Sequence, residues 1–514
     1  MSETFSYDEL PYPSKFFVQT HPDRLATQAT LFGMSPADVA TCRVLELGCG
    51  NGSNLIAQAF LLPDASFVGV DLAKTHIDDA ITASKELGLS NVEFRQMDVM
   101  EMSVADFGTF DFITAHGLFS WIPDVVRIKV LELYRDLLTE NGVGYISYSA
   151  YPGAHQREMV QRTMRYHVRE SAEPEEKVGK ALSFLKFLSE NTPDRGTYKS
   201  TLTDELKRHG SHTVSDVFHD DLSDCNQAFY FHEFAEMLAG SGLQFLAEAE
   251  LHAMGTQNLP KDARAFIDSL DEIVEREQYL DLLRGRVFRQ TLFCHKNIEL
   301  DRNVEPAVID RFFIKSTLRP HRPNPDLVST KIEKFVGFTN ASIELDQPLA
   351  KAALSILGNV WGRAVAFPDL IENSKRLLTE HGYSWDDWHR QTDIVRTILL
   401  QIAMASSMVE LHVHQPTGYT EVSEMPAVNP LARWQLGSTN NILTTLGLDM
   451  KIEDHVSRRL LELLDGTRDK TDLIYAMTEF IKASKDIDKK LLRTLPEWID
   501  ESVASLGRIG VFSA

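Results

Sequence analysis

Arg43-Val-Leu-Glu-Leu47 and the glycine-rich run that follows it, Gly48-Cys-Gly-Asn-Gly52, decide the fold of this chain. The first run is short and apolar, which is typical of a buried strand, and the glycines permit a tight turn directly after it. Helical periodicity then extends from Ser53 to about Leu61. A strand, a glycine turn and a helix in this order direct unpaired backbone N–H groups of the helix N-terminus toward an anionic ligand.

Further short apolar runs follow this turn and alternate with amphipathic helical segments. The predicted strands are Ser66–Asp71, Asn91–Asp98, Phe110–Ala115 and Gly142–Tyr148, and the predicted helices are His76–Leu87 and Val125–Leu138. Strands that alternate with helices at this spacing form crossover units with a parallel sheet, and such crossovers are nearly always right-handed. We therefore expect a doubly wound, Rossmann-like α/β domain.

The middle of the chain completes this domain after an interruption. Residues 155–225 are mostly charged helical segments, such as Glu175–Glu190, and we expect a helical insertion there. A helix at Phe231–Leu238 and two strand-like runs, Leu243–Ala249 and Arg286–Cys294, come next. We expect them to complete the same sheet as an antiparallel pair.

The last two hundred or so residues have a different pattern, which begins around a Pro-rich stretch, Arg319–Pro325, that we interpret as a linker. Residues 348–414 have the order helix, helix, helix, strand of a winged-helix unit, and residues 430–508 are mainly helical. The predicted domains are an arm or lid (1–40), a cofactor-binding core (41–154), the insertion (155–225), completion of the core as a regulatory domain (226–300), a winged-helix-like domain (301–420) and a C-terminal helical domain (421–514).

The charge of the chain excludes some functions more strongly than its composition does. In 514 residues, 52 Lys and Arg against 74 Asp and Glu give a formal net charge of −22. Because nucleic-acid affinity rests on cationic contacts to phosphates, DNA and RNA are poor candidate partners, even for a winged-helix unit, which we interpret as a protein-interaction module. The four cysteines form no CxxC pair, and we see no signal peptide and no membrane-spanning run. We expect a cytoplasmic protein.

Acidic residues at the strand ends indicate the ligand of the glycine turn. Glu46 to Gly52 match E-x-G-x-G-x-G, and the dinucleotide fingerprint would need a third glycine where this chain has Ser53. Asp71 ends the second strand, where a carboxylate accepts hydrogen bonds from a ribose, and Asp98 ends the third, where it can accept one from an adenine amino group. Ribose and adenine without a pyrophosphate pocket describe S-adenosylmethionine. The alternative is a glycine turn kept for tight packing alone.

The chain resembles the class I S-adenosylmethionine-dependent methyltransferases, and in particular bacterial proteins that join this domain to a methyltransferase regulatory domain. The rickettsial protein-lysine methyltransferases that modify outer-membrane proteins belong to that group. The stretches that carry the resemblance are Tyr12-Pro-Ser14, Thr20–Leu25, Leu45–Gly52, His116–Pro123, Ser147–Gly153, Tyr166-His167, Phe231–Met254 and Leu464–Thr467.

The resemblance and the strand-end pattern together define a candidate site. The predicted cofactor-binding residues are Tyr12, His21, Glu46, Gly48, Cys49, Gly50, Asn51, Gly52, Asn54, Asp71, Leu72, Asp98, Val99, Ala115 and His116. The resemblance implies that the N-terminal arm, with Tyr12 and His21, folds over the cofactor; packing of the arm on the domain is the alternative. Three histidines, His209, His212 and His219, have no metal-ligand spacing, and we expect them in a solvated loop. No metal site is predicted.

Methyl transfer from a sulfonium is an in-line displacement that depends mainly on alignment. If the acceptor is lysine, a desolvated aromatic channel would favour the neutral amine and hold the cationic product. We predict that Tyr148 orients the acceptor amine, that His116 lines the cofactor or accepts a proton, and that Trp121 and Tyr151 line the channel. Structural alternatives stay open for three of these residues: Tyr148 as a core tyrosine, His116 as a histidine with a structural hydrogen bond, and Trp121 as a tryptophan packed in a loop.

The leading hypothesis is an N-methyltransferase that acts on lysine side chains of a protein, with a cell-envelope or outer-membrane protein as a candidate acceptor. The alternatives are a small-molecule methyltransferase with a substrate-gating C-terminal region and a non-catalytic, cofactor-binding regulatory protein. Because the insertion at 155–225 is a natural subunit contact, we also expect a homodimer.

Overall fold

A computed structural model describes residues 15–171, 173–194, 196–210, 212–337, 341–384, 387–416 and 418–513. The chain divides into two compact units. The first comprises 1–59 and 64–301, and the second comprises 60–63 and 302–514. The division falls ahead of the Pro-rich stretch that we expected to be a linker. That stretch instead contributes a short strand to a sheet of the second unit.

The first unit is built on a seven-stranded sheet of order β3-β2-β1-β4-β5-β7-β6. Its strands are β1 (Arg43–Leu47), β2 (Ser66–Asp71), β3 (Val92–Gln96), β4 (Phe110–Ala115), β5 (Leu138–Ser149), β6 (Leu243–Glu248) and β7 (Phe288–His295). The first five strands are parallel, and β7 pairs antiparallel with both β5 and β6. The prediction of a Rossmann-like sheet completed by an antiparallel pair is confirmed, although β5 begins four residues earlier than expected.

Helices connect these strands. They are α1 (Pro22–Leu31), α2 (Ser53–Leu61), α3 (Lys74–Glu86), α4 (Val104–Phe107), α5 (Asp124–Leu137), α6 (Ala154–Val168), α7 (Pro174–Asn191), α8 (Thr197–His209), α9 (Val214–Asp216), α10 (Phe231–Gly240), α11 (Lys261–Asp268) and α12 (Ile273–Arg284). The central strands are apolar along nearly their whole length, as the burial of β1 and β4 requires. Their side chains join those of α5 and α10 in one core cluster.

The insertion contains α6 to α9 and has a small apolar core of its own, which includes Val160, Leu185 and Leu202. The expectation that its histidines lie in a solvated loop is wrong. His209 ends α8 and is buried, and its Nε2 lies 3.0 Å from Oδ2 of the buried Asp221. The buried carboxylate supplies a partner for the imidazole, which makes its burial tolerable.

The second unit begins with strands and continues with helices. Its strands are β8 (Phe313–Ser316), β9 (Arg319–Pro320), β10 (Glu333–Val336), β11 (Ser342–Leu345), β12 (Val365–Ala366), β13 (Val409–His412), β14 (Asn441–Leu443) and β15 (Asp449–Lys451). Its helices are α13 (Pro348–Asn359), α14 (Phe367–Glu380), α15 (Trp388–Ala405), α16 (Pro430–Leu436), α17 (His455–Leu463), α18 (Lys470–Ala483) and α19 (Leu495–Arg508).

Helices α13 to α15 accompany a three-stranded sheet of order β12-β8-β13, so three helices followed by a strand are present at 348–414 in the order that we expected. Residues 430–508 contain the predicted helices together with a β14-β15 hairpin that we did not predict. The apolar faces of α16 to α19 pack in a separate core cluster. Across the described part of the chain, no helix combines the length and apolar character needed to cross a membrane.

Candidate functional site

The candidate site lies at the carboxyl edge of the parallel strands. Glu46 of β1 pairs in register with Gly69 of β2 and Thr114 of β4, so the residues that follow these three strands reach the same edge. Ligands of open α/β sheets bind in the crevice at this edge. The sequence-predicted groups on the glycine turn and at the strand ends are therefore brought together.

The glycines of the turn after β1 have two different roles. Gly48, Gly50 and Gly52 all have positive φ, at 72°, 53° and 72°. A Cβ on Gly52 would lie 2.6 Å from the ring of Phe94, so this glycine lets α2 pack closely on the sheet. A Cβ on Gly50 would meet only His76 Nδ1, at 4.0 Å. Gly50 therefore borders open space, as a turn that approaches a ligand requires.

Asp71 is held at the turn by two backbone hydrogen bonds. Its Oδ2 accepts the N–H of Gly50 at 2.8 Å, and its Oδ1 accepts the N–H of Ala73 at 2.9 Å. Each carboxylate oxygen can accept more than one hydrogen bond, so both can still accept from a ligand hydroxyl. Leu72, directly after it, is exposed. The carboxylate is oriented before any ligand arrives.

Asp98 follows β3 on the same edge. Its Oδ1 accepts the N–H of Met100 at 2.9 Å and caps the short 3-10 turn Val99–Glu101. Asp98 and Val99 are half-buried, so both are accessible to a ligand at this edge. Ala115, the last residue of β4, is fully buried.

Glu46 is a buried carboxylate with one unused oxygen. Its Oε1 accepts from Asn54 Nδ2 at 2.7 Å, whereas its buried Oε2 has no hydrogen-bond partner within the described residues. Burial raises the pKa of Glu46 to about 8, against the opposing effect of the Asn54 hydrogen bond. Asn54 also donates to Thr20 Oγ1 at 2.9 Å and accepts the N–H of Phe17 at 3.0 Å. One network thus joins β1, α2 and the N-terminal arm.

The N-terminal arm contacts the site through Phe17. Its ring stacks on the imidazole of His116 with a centroid distance of 3.8 Å and an angle of 24°. Two residues earlier, Lys15 Nζ lies 2.8 Å from Asp216 Oδ1 in the insertion. The arm therefore reaches both the sheet edge and the insertion.

Of the two arm residues predicted to bind the cofactor, His21 lies within the described part of the chain. His21 Nδ1 accepts the N–H of Asp23 at 3.2 Å, which makes His21 the N-cap of α1. A capping role occupies that nitrogen. Tyr12 lies outside the described residues. Of the other predicted residues of the turn, Cys49 lies near Asp71, and Asn51 Oδ1 accepts from Ser53 Oγ at 2.7 Å.

His116 is a half-buried, neutral imidazole directly after β4. Its Nδ1 lies 2.7 Å from the hydroxyl oxygen of Tyr145, and its ring lies 6.1 Å from that of Phe288. Burial, together with the positive charge of Lys15, lowers the pKa of His116 to about 3. Such a group is uncharged at neutral pH and is a weak base, which favours a lining role over proton transfer.

Tyr148 is buried more deeply than the predicted channel requires, whereas Trp121 is partly accessible. Tyr148 is fully buried, and its ring stacks on Phe234 at 4.3 Å within the core cluster. This position favours the structural alternative of a core tyrosine. Trp121 is half-buried, and its indole Nε1 is buried without a hydrogen-bond partner among the described residues. The roles of both in catalysis stay predictions.

Two residues at the site were missed by sequence reasoning, Phe17 and Tyr145. Phe17 lies in an arm segment that we had marked only through its neighbours Tyr12 and His21. Tyr145 is in the predicted strand β5, three residues before Tyr148, and the alternation of strand side chains puts odd and even positions on opposite faces. The side chain of Tyr145 lies on the face of β5 that meets His116, and that of Tyr148 lies on the opposite face. The alternation of faces along β5 could therefore have indicated Tyr145 instead of Tyr148.

Beneath Tyr148 lies a buried cluster of charges. Arg289 of β7 contacts Glu248 Oε1 at 2.6 Å, Glu277 Oε2 at 3.0 Å and Asp281 Oδ2 at 2.7 Å. Arg289 and Asp281 are completely buried. Although burial opposes ionisation of Glu248, Arg289 lowers its pKa below the ordinary value. This cluster fixes β6 and β7 to α12.

Comparison with known proteins agrees with this geometry. A family model described as "Methyltransferase domain" matches residues 38–200, and one described as "Predicted methyltransferase regulatory domain" matches 214–295. A third, "PKMT, C-terminal winged helix domain", matches 424–487. That match lies in the segment we predicted as helical, after the 301–420 region to which we gave the winged-helix order.

Relatives and solved structures extend over most of the chain. An uncharacterized protein of Rickettsia prowazekii, RP789, is 34% identical over 378 residues, which is 72% of this chain and 68% of that protein. The structure of PKMT2 from Rickettsia typhi has 26% identity, covers 98% of this chain and 100% of its own, and gives a TM-score of 0.86. The same PKMT2 in complex with AdoHcy gives a TM-score of 0.84.

The AdoHcy complex of that neighbour and the methyltransferase-domain match indicate that this chain binds S-adenosylmethionine. The open turn at Gly50 and the unused oxygen of Glu46 fit such a ligand. The chain therefore belongs to the family of S-adenosylmethionine-dependent methyltransferases that join a methyltransferase domain to a regulatory domain and a C-terminal PKMT winged-helix domain.

Proposed function

We propose that this methyltransferase modifies lysine side chains of a protein. The observation that carries the proposal is the likeness to the PKMT2 structure along 98% of the chain, which includes the regions outside the cofactor domain. PKMT denotes protein lysine methyltransferase, and a small-molecule methyltransferase has no need of such large accessory regions. A cell-envelope or outer-membrane protein is the candidate acceptor, because the sequence resembles the rickettsial enzymes that modify such proteins.

The residues of the carboxyl edge would hold the cofactor as follows. Asp71 would accept hydrogen bonds from the ribose hydroxyls, and Asp98 would accept one from the adenine amino group. The turn around Gly50 would lie against the amino-acid end of the ligand, with Glu46 beneath it. Cys49, Asn51, Leu72 and Val99, together with Ala115, would complete the walls. The bound cofactor supplies an electrophilic methyl group on a sulfonium.

The chain's own residues would orient the acceptor and exclude water. A lysine amine attacks only when it is neutral, and its ordinary pKa of about 10.4 leaves few neutral amines at pH 7. A desolvated channel lowers that pKa. We propose that His116, held from behind by the buried Tyr145 and covered by Phe17, forms a water-excluding wall of the channel. The pKa of about 3 at His116 makes it a poor proton acceptor, so the amine would lose its proton to water before transfer.

In the transfer itself, the N–C bond forms as the C–S bond breaks, and the positive charge passes from sulfur to nitrogen. No enzyme nucleophile is required, because alignment of the two groups supplies much of the acceleration. An aromatic wall stabilises the cationic amine of the product. Trp121, whose indole N–H has no partner in the described structure, would face this channel.

We also propose that the enzyme is a homodimer with its contact at the insertion. Tyr166 and Phe187, on α6 and α7, expose 70% and 56% of their surface, and exposed aromatic residues are typical of subunit contacts. Light scattering at micromolar concentration should give twice the chain mass of 58.0 kDa. Phe187→Lys should shift the mass toward the monomer, and the exposed Tyr475→Lys in the second unit should not. A monomeric wild type would contradict the proposal.

The methylation proposal is tested with isotopically labelled S-adenosylmethionine and a cell-envelope protein fraction. We expect label on lysine residues, identified by mass spectrometry of the digested proteins, and much less label with the Asp71→Asn variant when the cofactor concentration is near the wild-type dissociation constant. Label only in small metabolites would replace the proposal with a small-molecule methyltransferase. Cofactor binding by calorimetry without any transfer would indicate a regulatory protein.

A further inference from the structure

Four rings cluster just beyond the end of β5. Tyr151 stacks on His155 with a centroid distance of 3.9 Å and an angle of 16°, and the ring of Tyr230 lies 5.2 Å from that of Tyr151. His155 Nε2 lies 3.2 Å from the hydroxyl oxygen of Tyr230. His232 adds a ring 5.7 Å from Tyr230 and contacts Gln278 Oε1 through its Nδ1 at 2.8 Å. Stacking thus joins Tyr151 to His155, and a hydrogen bond joins His155 to Tyr230.

Two carboxylates border this aromatic cluster. The Tyr151 hydroxyl donates to Glu158 Oε2 at 2.8 Å, and the backbone N–H of Tyr230 donates to Glu233 Oε2 at 2.9 Å. Burial and the Glu158 hydrogen bond raise the pKa of Tyr151 to about 12, so its hydroxyl stays protonated and continues to donate. Arg162 pairs with Glu158 but is 72% exposed. Two carboxylates against one solvated guanidinium leave the cluster negative.

The cluster lies on the surface and not in a core. Tyr151 and Tyr230 are half-buried, whereas His155 and His232 are exposed. Apolar packing alone does not account for rings that keep their edges in water and their hydroxyl groups on polar partners. Negative ring faces beside carboxylates are suited to a cation, and they repel phosphate.

Backbone pairing puts the cluster next to the candidate site. His116 contacts the ring of Phe288, and Phe288 pairs with Ser149, the last residue of β5. Tyr151 follows two residues later, and its N–H donates to the carbonyl oxygen of Phe229 at 2.9 Å. Two residues of extended chain span about 7 Å. An extended acceptor peptide would therefore need about two residues to reach from the end of β5 to Tyr151.

We propose that the cluster of Tyr151, His155, Tyr230 and His232, with Glu158 and Glu233, binds a lysine or arginine side chain that flanks the methylated residue of the acceptor protein. The inference rests on the proposed function and adds a specificity-determining surface to it. The occupant is a cationic side chain two to four residues from the acceptor lysine. The net charge of −22 on the whole chain attracts basic segments, and the ring cluster selects where the flanking cation docks.

Equilibrium binding tests the inference without requiring turnover. The probes are fluorescein-labelled, alanine-rich peptides with one lysine and, two to four residues away, an arginine, an alanine or a glutamate. Binding to the full chain saturated with S-adenosylhomocysteine is measured by fluorescence anisotropy. We expect wild type to bind the arginine peptides about threefold to tenfold more tightly than the alanine peptides. Tyr230→Ala should abolish that preference, and Tyr230→Phe, which keeps the ring face, should retain it.

Controls separate this effect from charge attraction and from misfolding. Tyr475→Ala, which removes an exposed tyrosine of the second unit, should bind all peptides as wild type does. Affinity for S-adenosylhomocysteine should be unchanged in every variant. If Tyr230→Ala does not fold, His155→Ala, at an exposed position, replaces it and should lower the preference.

Two results would overturn the inference: wild type without a preference for the flanking arginine, or a preference that survives both Tyr230→Ala and His155→Ala. Failure of the proposed function gives a different result. In that case no protein lysine is labelled by wild type in the transfer assay, whatever the peptides show.

Discussion

The ring of Phe17 lies against the imidazole of His116, with the ring centroids 3.8 Å apart. The first residue belongs to the N-terminal arm and the second to the end of β4, so 98 intervening residues separate two groups that share one face of the site. His116 is half-buried, and because its pKa is lowered to about 3 it is uncharged at neutral pH. The contact with Phe17 joins the N-terminal arm to the carboxyl edge of the sheet.

Phe17→Ala should weaken binding of S-adenosylmethionine about threefold to tenfold, because a stacked aromatic pair contributes about 0.5–1.5 kcal/mol beyond its burial. Calorimetry measures the dissociation constant. Val18→Ala, at a neighbouring and more exposed position, is the matched control and should bind as wild type does. Equal losses of cofactor affinity in the two variants would mean that the arm as a whole contributes to binding and that the Phe17 ring has no specific role.

Asp71→Asn should reduce cofactor affinity about tenfold to a hundredfold. The substitution removes the negative charge from a carboxylate that accepts the N–H of Gly50 and that we expect to bind the ribose, and hydrogen bonds to charged groups are worth about 1.5–3 kcal/mol. Asp78→Asn, at an exposed pair with Lys74, is the control and should leave the affinity unchanged. Wild-type affinity in Asp71→Asn would remove this residue from the site.

Glu46→Gln should change how stability depends on pH. The folded-state pKa of about 8 lies above the ordinary 4.5, so the native state binds a proton that the unfolded state lacks. That contribution to stability is fully present below pH 4.5 and is lost as pH rises through 8. The variant should therefore gain stability relative to wild type between pH 5 and pH 9, by about 2–4 kcal/mol.

Thermal melting at pH 5 and pH 9, without cofactor, measures this effect. Glu140→Gln, at an exposed position, is the control, and its melting temperature should differ from that of wild type by the same amount at both pH values. If the melting temperature of Glu46→Gln also differs from that of wild type by the same amount at both pH values, Glu46 is ionised across this pH range.

Arg289→Met should destabilise the first unit by about 3–5 kcal/mol, because it leaves the carboxylates of Glu248, Glu277 and Asp281 buried without their common partner. Arg95→Met breaks the exposed pair with Glu93 and should cost less than about 1 kcal/mol. Melting temperatures of the two variants give the comparison. Similar values for both would contradict the structural importance of the buried cluster.

The sequence predicted the sheet well because its signals are local. A strand, a glycine turn and a helix are recognisable within twenty residues, and the repetition of this unit gives the parallel order. Strand ends were also predictable, so Glu46, Asp71 and Asp98 could be assigned to one edge. The histidines of the insertion could not be predicted in the same way, because the partner that allows His209 to be buried, Asp221, is brought to it by the fold.

By itself, the sequence determined the fold class, the cofactor and the residues that gather at the carboxyl edge of the sheet. All three depend on hydrophobic periodicity and on residue types at fixed spacing. Only the tertiary structure decided which aromatic groups meet His116, since Tyr145 and not Tyr148 contacts it, and Phe17 reaches it from the distant arm. The physical reason is that the direction of a strand side chain follows from register, whereas contacts between distant segments follow from the packing of the whole unit.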